Sequence, residues 1–447
     1  MKIFVAKSWP PHDRAKMIPA ARISAAIEIL ADLEEKKRPA ADAVKDWGLK
    51  HRFAGSKDRA AISSLVFDAL RARSSAAFIM AAETPRAIML GMLRQSRSYS
   101  PADIASLCRG EDHAPEALSP EERERLETAT LDDAPAHVAG DYPEWLADSF
   151  ARVYGDTAVA EGRALAGRAP VDLRVNTLKA KRDRQLTALA HLHAVATPYA
   201  TTGLRLPVSP DGRGPALGAE PAIVKGLVEV QDEGSQIAAL LSGAREGEQV
   251  LDLCAGAGGK TLALAGMMGN KGQIYASDGD GRRLMPIYDR LERAGARNVQ
   301  VRAPKAGVAG LDDLAGRCDL VLIDAPCTGS GTWRRNPDAK WRMRPGALEQ
   351  RIKDQDEVLD MAAKYVKPGG RILYVTCSVL AQENEDRMVA FLERHAEFAS
   401  QDAATLANSR GLPALAPFAS KLGHGLRLSP LATGTDGFFI AGLLRAE

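Results

Sequence analysis

The feature that most constrains this chain is the alternation, from Gly226 onward, of short β-rich runs with helical stretches. The predicted strands are Gln249 to Leu253, Gln273 to Asp278, Val299 to Arg302, Leu320 to Asp324, Arg371 to Thr376 and Phe438 to Leu444, read from β-branched and aliphatic runs bounded by glycine and polar residues. Strands that alternate with helices predict a doubly wound α/β sheet, because each parallel pair needs a crossover long enough to hold a helix. The last strand follows the turn-like Gly434-Thr435-Asp436-Gly437 and is expected to enter antiparallel.

Upstream the pattern differs. Ala20 to Leu33, Ala40 to Trp47, Lys57 to Arg73 and Pro85 to Leu93 carry apolar residues at three- and four-residue spacing, which predicts an all-α domain over residues 1–135. Its boundary is a Ser-, Pro- and acid-rich stretch that includes the helix-start signal Ser119-Pro120-Glu121-Glu122. Residues 136–222 hold two helical segments around the short strand Val171 to Asn176 and predict a small α+β module, leaving 223–447 for the α/β domain. At 447 residues, about three domains of ordinary size are expected. No apolar run approaches the roughly eighteen residues of a membrane span, and Met1 to Pro11 carries no secretory signal, so a cytoplasmic, monomeric protein without membrane contact is expected. Five scattered cysteines with no C-x-x-C pair predict neither disulfides nor a metal site. The net charge of +2 announces no nucleic-acid partner by itself, so a basic surface would have to be local.

The first predicted strand of the α/β domain runs into Cys254-Ala255-Gly256-Ala257-Gly258-Gly259-Lys260-Thr261 and then a helix, a turn where backbone can approach a ligand closely. The nucleotide P-loop pattern fails because Cys254 stands where its first glycine is required, and the dinucleotide fingerprint fails at Thr261. Asp252 entering the turn and Asp278 ending the next strand suit a cofactor with a cationic amino acid and a ribose, which points to S-adenosylmethionine.

Two further strands end in Asp324-Ala325-Pro326-Cys327 and Thr376-Cys377-Ser378, placing both cysteines on the edge where open α/β sheets bind ligands. Carbon 5 of cytosine is too weak a nucleophile to take a methyl group directly, so a thiolate must first add to carbon 6. A proton held at ring N3 helps that attack, for which Asp324 is the nearest group, and a second thiol can assist release. The chemistry alone does not say which cysteine does which. Cys254, Cys318 and Cys108 read as small buried hydrophobes.

These residues resemble the NOP/Sun family of RNA cytosine-C5 methyltransferases, and within it the bacterial ribosomal RNA small subunit methyltransferase B type. The likeness rests on Leu251-Asp252-Leu253-Cys254-Ala255 with Gly258-Gly259-Lys260-Thr261, on Asp324 to Gly331, on Arg334-Arg335-Asn336-Pro337-Asp338, on Thr376-Cys377-Ser378 and on Asp436-Gly437-Phe438-Phe439. It extends upstream through Gln231 to Ser235 and Leu173 to Asn176, and so from about Pro143 to the C-terminus. The helical N-terminus is more faintly similar to the NusB-type RNA-binding domain. The resemblance implies a Rossmann-like class I methyltransferase domain, with Cys377 as nucleophile and Cys327 as the helper of release. It also implies cofactor contacts from Cys254, Ala255, Gly256, Ala257, Gly258, Gly259 and Lys260, the ribose on Asp278, and Asp324 where cofactor meets cytosine. Two departures stand out. Ala303-Pro304-Lys305 occupies the place of an acidic adenine contact, and Ala255-Gly256-Ala257 replaces the usual Ala-Ala-Pro.

A basic stretch interleaved with Trp333 and Trp341, namely Arg334, Arg335, Lys340, Arg342 and Arg344, is expected to meet RNA beside Cys327, as are Arg174 and Asn176 in the middle module. The expected substrate is a cytosine in a structured RNA loop, with 16S ribosomal RNA suggested by the resemblance. The alternatives are a transfer RNA, small-molecule or protein methyltransferase, or a non-catalytic RNA-binding factor with a relic methyltransferase domain.

Overall fold

The computed structural model describes residues 17–209, 214–303 and 310–447, which fall into two compact units meeting at Val138 and Ala139. Pro304 and Lys305, at the anticipated adenine contact, lie outside the described residues, as does Met1 to Pro11.

The first unit is helical. Its helices Pro19–Lys36, Ala40–Lys50, Ser56–Arg71, Arg73–Met80 and Pro85–Gln95 bury Ile23, Ile29, Ile62, Val66, Met89 and Met92, each taken fully out of water. Burying an aliphatic side chain contributes about 1.5–3 kcal/mol, which stabilises helices that would be marginal in isolation. Helix Pro120–Thr128 begins as anticipated. Ser119 accepts from the Glu122 backbone N–H at 3.2 Å and Glu122 accepts from the Ser119 N–H at 3.0 Å, a reciprocal cap worth about 1 kcal/mol. Asp58 is nearly buried, held by the Arg22 guanidinium at 2.8 Å from the first helix.

The second unit opens with helices Ala147–Tyr154 and Ala158–Ala166, followed by a four-stranded antiparallel sheet. Its strands are β1 (Val171–Val175), β2 (Val195–Ala196), β3 (Gly203–Leu206) and β4 (Val228–Val230), in the order β2-β3-β1-β4. Leu173, Val175, Leu204 and Leu206 fill one face. Strand β4 leads directly into helix Glu233–Ser242 of the larger layer.

The larger sheet contains β5 (Gln249–Asp252), β6 (Gln273–Ser277), β7 (Val299–Arg302), β8 (Cys318–Asp324), β9 (Val366–Thr376), β10 (Phe398–Ser400), β11 (Leu426–Leu428) and β12 (Phe438–Arg445). The order is β10-β12-β9-β8-β5-β6-β7, with β11 pairing to β12; β5 to β9 are parallel and β12 is antiparallel to β9. Alternate residues serve opposite faces. Val250, Leu320, Leu322, Leu373, Val375 and Ile440 pack toward helices Glu233–Ser242, Gly259–Met267 and Ala403–Ser409, while Leu251, Val321, Ile323, Ile372, Tyr374 and Phe439 pack toward Pro345–Tyr365 and Glu385–Arg394. A sheet covered on both sides explains why the strands read as continuous apolar runs. The chain moves outward from β5 through β6 to β7 and then returns to β8 on the other side of β5, so the switch point lies between β5 and β8. A crevice is expected beyond the carboxyl ends of those two strands.

Among the described residues no single helix is long and apolar enough to cross a membrane, and no group of three His, Cys, Asp or Glu could hold a metal ion.

Candidate active site

The glycine turn leaves β5 at the switch point. Gly256 and Gly258 have φ of +51° and +82°, values that L side chains rarely adopt, and a Cβ on Gly258 would stand 2.5 Å from Ile287. Asp278, the residue after β6, accepts the Gly256 N–H at 3.0 Å and faces Arg283, which fixes the turn against the neighbouring strand. Asp252 is fully buried. One carboxylate oxygen takes the Thr261 hydroxyl at 2.6 Å, the other has no partner, and burial pushes its pKa up to about 7. A buried, unsatisfied acceptor beside a backbone-only cradle and a helix N-terminus fits a ligand with a cationic head, as S-adenosylmethionine has. Cys254 lies in the same turn, and its thiol is raised by burial.

Lys260, one residue into the helix, is nearly buried and reaches across the switch point to Asp324 at the end of β8, 2.6 Å away. Its ammonium also lies 5.6 Å from the centre of the Phe438 ring. Asp324 keeps 37% of its side chain exposed, so the pair has one buried and one open end.

The two cysteines meet beyond the adjacent ends of β8 and β9, their sulfurs 3.4 Å apart. The Cys377 sulfur beside it, together with burial, raises the Cys327 thiol well above its usual range, so Cys327 keeps its proton. The segment after Cys327 is fastened to the segment around Cys377 through backbone: the Gly331 N–H donates to the Cys377 carbonyl at 2.9 Å, and the Gly437 N–H donates to the Gly331 carbonyl at 2.8 Å. Asn384 brackets Cys377, accepting from the Thr376 hydroxyl at 2.6 Å and donating to the Ser378 carbonyl at 2.9 Å. Glu383 is fully buried. It accepts from the Thr328 N–H at 2.8 Å and hydroxyl at 2.5 Å, from the Gln355 amide at 3.0 Å, and from the Ser378 hydroxyl. Neither Glu383 nor Asn384 stands out by sequence reasoning. Two charged or amide residues following the Thr376-Cys377-Ser378 motif at a distance of one turn are the available signal, and an exposed loop would give the same pattern.

The anticipated RNA contacts need correction. Arg174 is buried, donating to the Gln231 side chain at 2.6 Å, and Asn176 is buried, donating to the carbonyls of Gly226 and Ala294 at 2.8 Å each. Asn176 thereby ties the small sheet to helix Ile287–Ala294. Lys340 is buried and donates to the Asp141 carbonyl at 2.6 Å; Trp333 is buried and stacks on Phe150, which stacks on Tyr142. Arg334, 5% exposed at its side chain, lies between Asp232 and Asp436. Only part of the stretch faces solvent: Arg335 is 31% exposed although it shares the same two carboxylates, and Arg342 is 41% exposed although it pairs with Asp338. Cys108 and Cys318 are buried, in keeping with a packing role.

Comparison with known proteins agrees with this geometry. Residues 239–444 match the family described as 16S rRNA methyltransferase RsmB/F, and residues 142–211 match the ferredoxin-like domain of the same methyltransferases. Ribosomal RNA small subunit methyltransferase B of Sodalis glossinidius is 33% identical over 329 residues, 72% of this chain and 70% of the relative. The probable ribosomal RNA small subunit methyltransferase B of Synechocystis sp. is 32% identical over 315 residues, 68% of this chain and 67% of the relative. Among solved structures, a methyltransferase homolog protein from Pyrococcus horikoshii is 28% identical, covering 73% of this chain and all of its own length, with a TM-score of 0.57. With a Rossmann-like sheet, a glycine turn at the switch point and two cysteines at neighbouring strand ends, the chain belongs to the RsmB/F family of S-adenosylmethionine-dependent RNA methyltransferases.

Proposed function

We propose that this chain methylates carbon 5 of a cytosine in structured RNA, with 16S ribosomal RNA as the substrate, through a covalent bond between Cys377 and carbon 6. The observation that carries the reading is the 3.4 Å approach of the Cys327 and Cys377 sulfurs beside the Lys260–Asp324 pair at the mouth of the glycine turn.

The Cys377 thiol gives up its proton to ring N3, where Asp324, held by Lys260, accepts a hydrogen bond from it, and the sulfur adds to carbon 6, so that the ring electrons return through carbon 5. S-adenosylmethionine, when bound, supplies the methyl group as an electrophile to that carbon. Asp252, the backbone from Cys254 to Gly259, Lys260 and Asp278 are the groups that would hold it. Afterwards the carbon 5 proton leaves to a base and the carbon–sulfur bond breaks. Cys327, which retains its proton, donates a hydrogen bond to the departing Cys377 sulfur and so assists release, while the proton on ring N3 leaves and restores the Cys377 thiol. The half-exposed guanidiniums of Arg335 and Arg342 lie on the basic stretch that follows Cys327 and suit phosphate contact. In this reading residues 1–135 form a NusB-like RNA-binding domain, 136–222 an RNA-binding module and 223–447 the methyltransferase domain, working in the cytoplasm where ribosomal RNA is assembled.

The test is trapping. Cys327→Ala is expected to accumulate a protein–RNA adduct visible as a retarded band on a denaturing gel, and Cys377→Ala to lose both adduct and product. An adduct persisting in Cys377→Ala overturns the assignment. Bisulfite sequencing of RNA from cells with and without the protein identifies the cytosine.

A further inference from the structure

Glu383 lies outside every role assigned above, yet among the described residues it is the one carboxylate hydrogen-bonded to the segments that follow both cysteines. From the short helix Ala381–Glu383 it receives both the backbone and the hydroxyl of Thr328, the residue after Cys327, and the hydroxyl of Ser378, the residue after Cys377. The Gln355 amide, in helix Pro345–Tyr365, donates to the same carboxylate and also to the Pro326 carbonyl at 2.9 Å, so the residues on both sides of Cys327 are tied to one point. Glu383 is itself pinned, because the Tyr374 hydroxyl from β9 donates to its carbonyl at 2.7 Å. Four donors occupy the two oxygens, and a carboxylate is the side chain that accepts this many while donating none. Such a group aligns what it touches, because each loop would otherwise be free to settle separately.

We propose that Glu383 is the positioning residue of the two-cysteine centre, setting the separation of the Cys327 and Cys377 sulfurs by holding both of their loops on a single carboxylate. It is fully buried and acts through the two loops it holds. Its negative charge also opposes ionisation of Cys327, which keeps that thiol a hydrogen-bond donor toward the Cys377 sulfur. The proposal rests on the covalent reading above and adds to it the group that makes the two sulfurs act as a pair.

Glu383→Gln keeps size but turns one acceptor into a donor, which must then face a donor from Thr328, Ser378 or Gln355. Methylation of an RNA substrate by the full chain is expected to show kcat lower by about 10- to 100-fold, with KM for RNA and for S-adenosylmethionine unchanged within about twofold. Oxidation of the two thiols to a disulfide by a diazene oxidant, followed by mass spectrometry, is expected to slow in the same variant, since that reaction reads the sulfur separation directly. Thr328→Val removes one donor from the carboxylate and is expected to give the same split in smaller measure; it decides the matter if Glu383→Gln does not fold. A folded Glu383→Gln or Thr328→Val with kcat and thiol oxidation both equal to the parent overturns the proposal. A parent that methylates RNA and an adduct in Cys327→Ala show that the underlying reading stands in that case; their absence would instead mark failure of that reading.

Discussion

Arg334 offers the sharpest separation between a structural and an RNA-binding reading of the basic stretch. Its Nε donates to Asp436 at 2.5 Å, one terminal nitrogen lies 3.3 Å from Asp232, and the other donates to the Gly434 carbonyl at 3.1 Å. Asp436 and Asp232 have side chains only 3% and 8% exposed, and Arg335 is the only other cation paired with both among the described residues. Burial first, and the neighbouring Asp436 second, raise Asp232 to about 6. Arg334→Met keeps roughly the volume but leaves two buried carboxylates facing one guanidinium, and breaking a buried ion pair in this way costs about 3–5 kcal/mol. With a urea slope of about 2–3 kcal/mol/M, the unfolding midpoint should fall by about 1–2 M at pH 8. Because the folded-state pKa of Asp232 lies above that of an unfolded aspartate, its ionisation works against the fold as pH rises from the ordinary carboxylate range through 6. The loss should therefore be smaller at pH 5.5, where one carboxyl can hold a proton. Urea unfolding followed by tryptophan fluorescence at both pH values measures this, and RNA binding by the folded variant should keep the parent's salt dependence. A loss under about 1 kcal/mol at both pH values, with a salt slope reduced by about one, would refute the reasoning and return Arg334 to the RNA surface.

Three further outcomes test other parts of the site. Asp252, raised to about 7, is ionised above that pH, so calorimetry should show S-adenosylmethionine affinity falling by up to about tenfold per unit as pH drops below 7. The fold without cofactor should gain stability over the same descent, and Asp252→Asn should remove both trends. Gly331→Ala would place a Cβ 2.1 Å from the Gly437 carbonyl oxygen, so the loop carrying Cys327 must move; methylation should fall about 100-fold while calorimetric cofactor affinity stays unchanged. Asn176→Ala should lower the melting temperature, because two buried carbonyls lose their donor, without altering the salt dependence of RNA binding.

What the sequence discloses depends on whether a residue acts through its backbone register or through its side-chain neighbours. The strand ends were legible because a parallel strand buried on both faces has to be apolar until it stops, which is why Asp252, Asp324 and Cys377 could be placed at the sheet's carboxyl edge from pattern alone. The antiparallel entry of β12 was legible for a related reason, since Gly434 to Gly437 supplies a turn ahead of a second uninterrupted apolar run. Charge gave no such guide. Arg334 and Lys340 look like a solvated basic face, but whether a guanidinium or an ammonium points outward depends on carboxylates and carbonyls brought from more than a hundred residues away, at Asp232, Asp436 and Asp141. Glu383 was hidden for the converse reason: a glutamate between Gln382 and Asn384, with Glu385 and Asp386 following, reads as surface, and only the meeting of the Thr328 and Ser378 loops turns it into a buried acceptor. Motif spacing therefore locates the atoms that make and break bonds, whereas the groups that align them are found by asking where each buried donor ends. On that question the two cysteines, fifty residues apart in sequence, converge on one carboxylate.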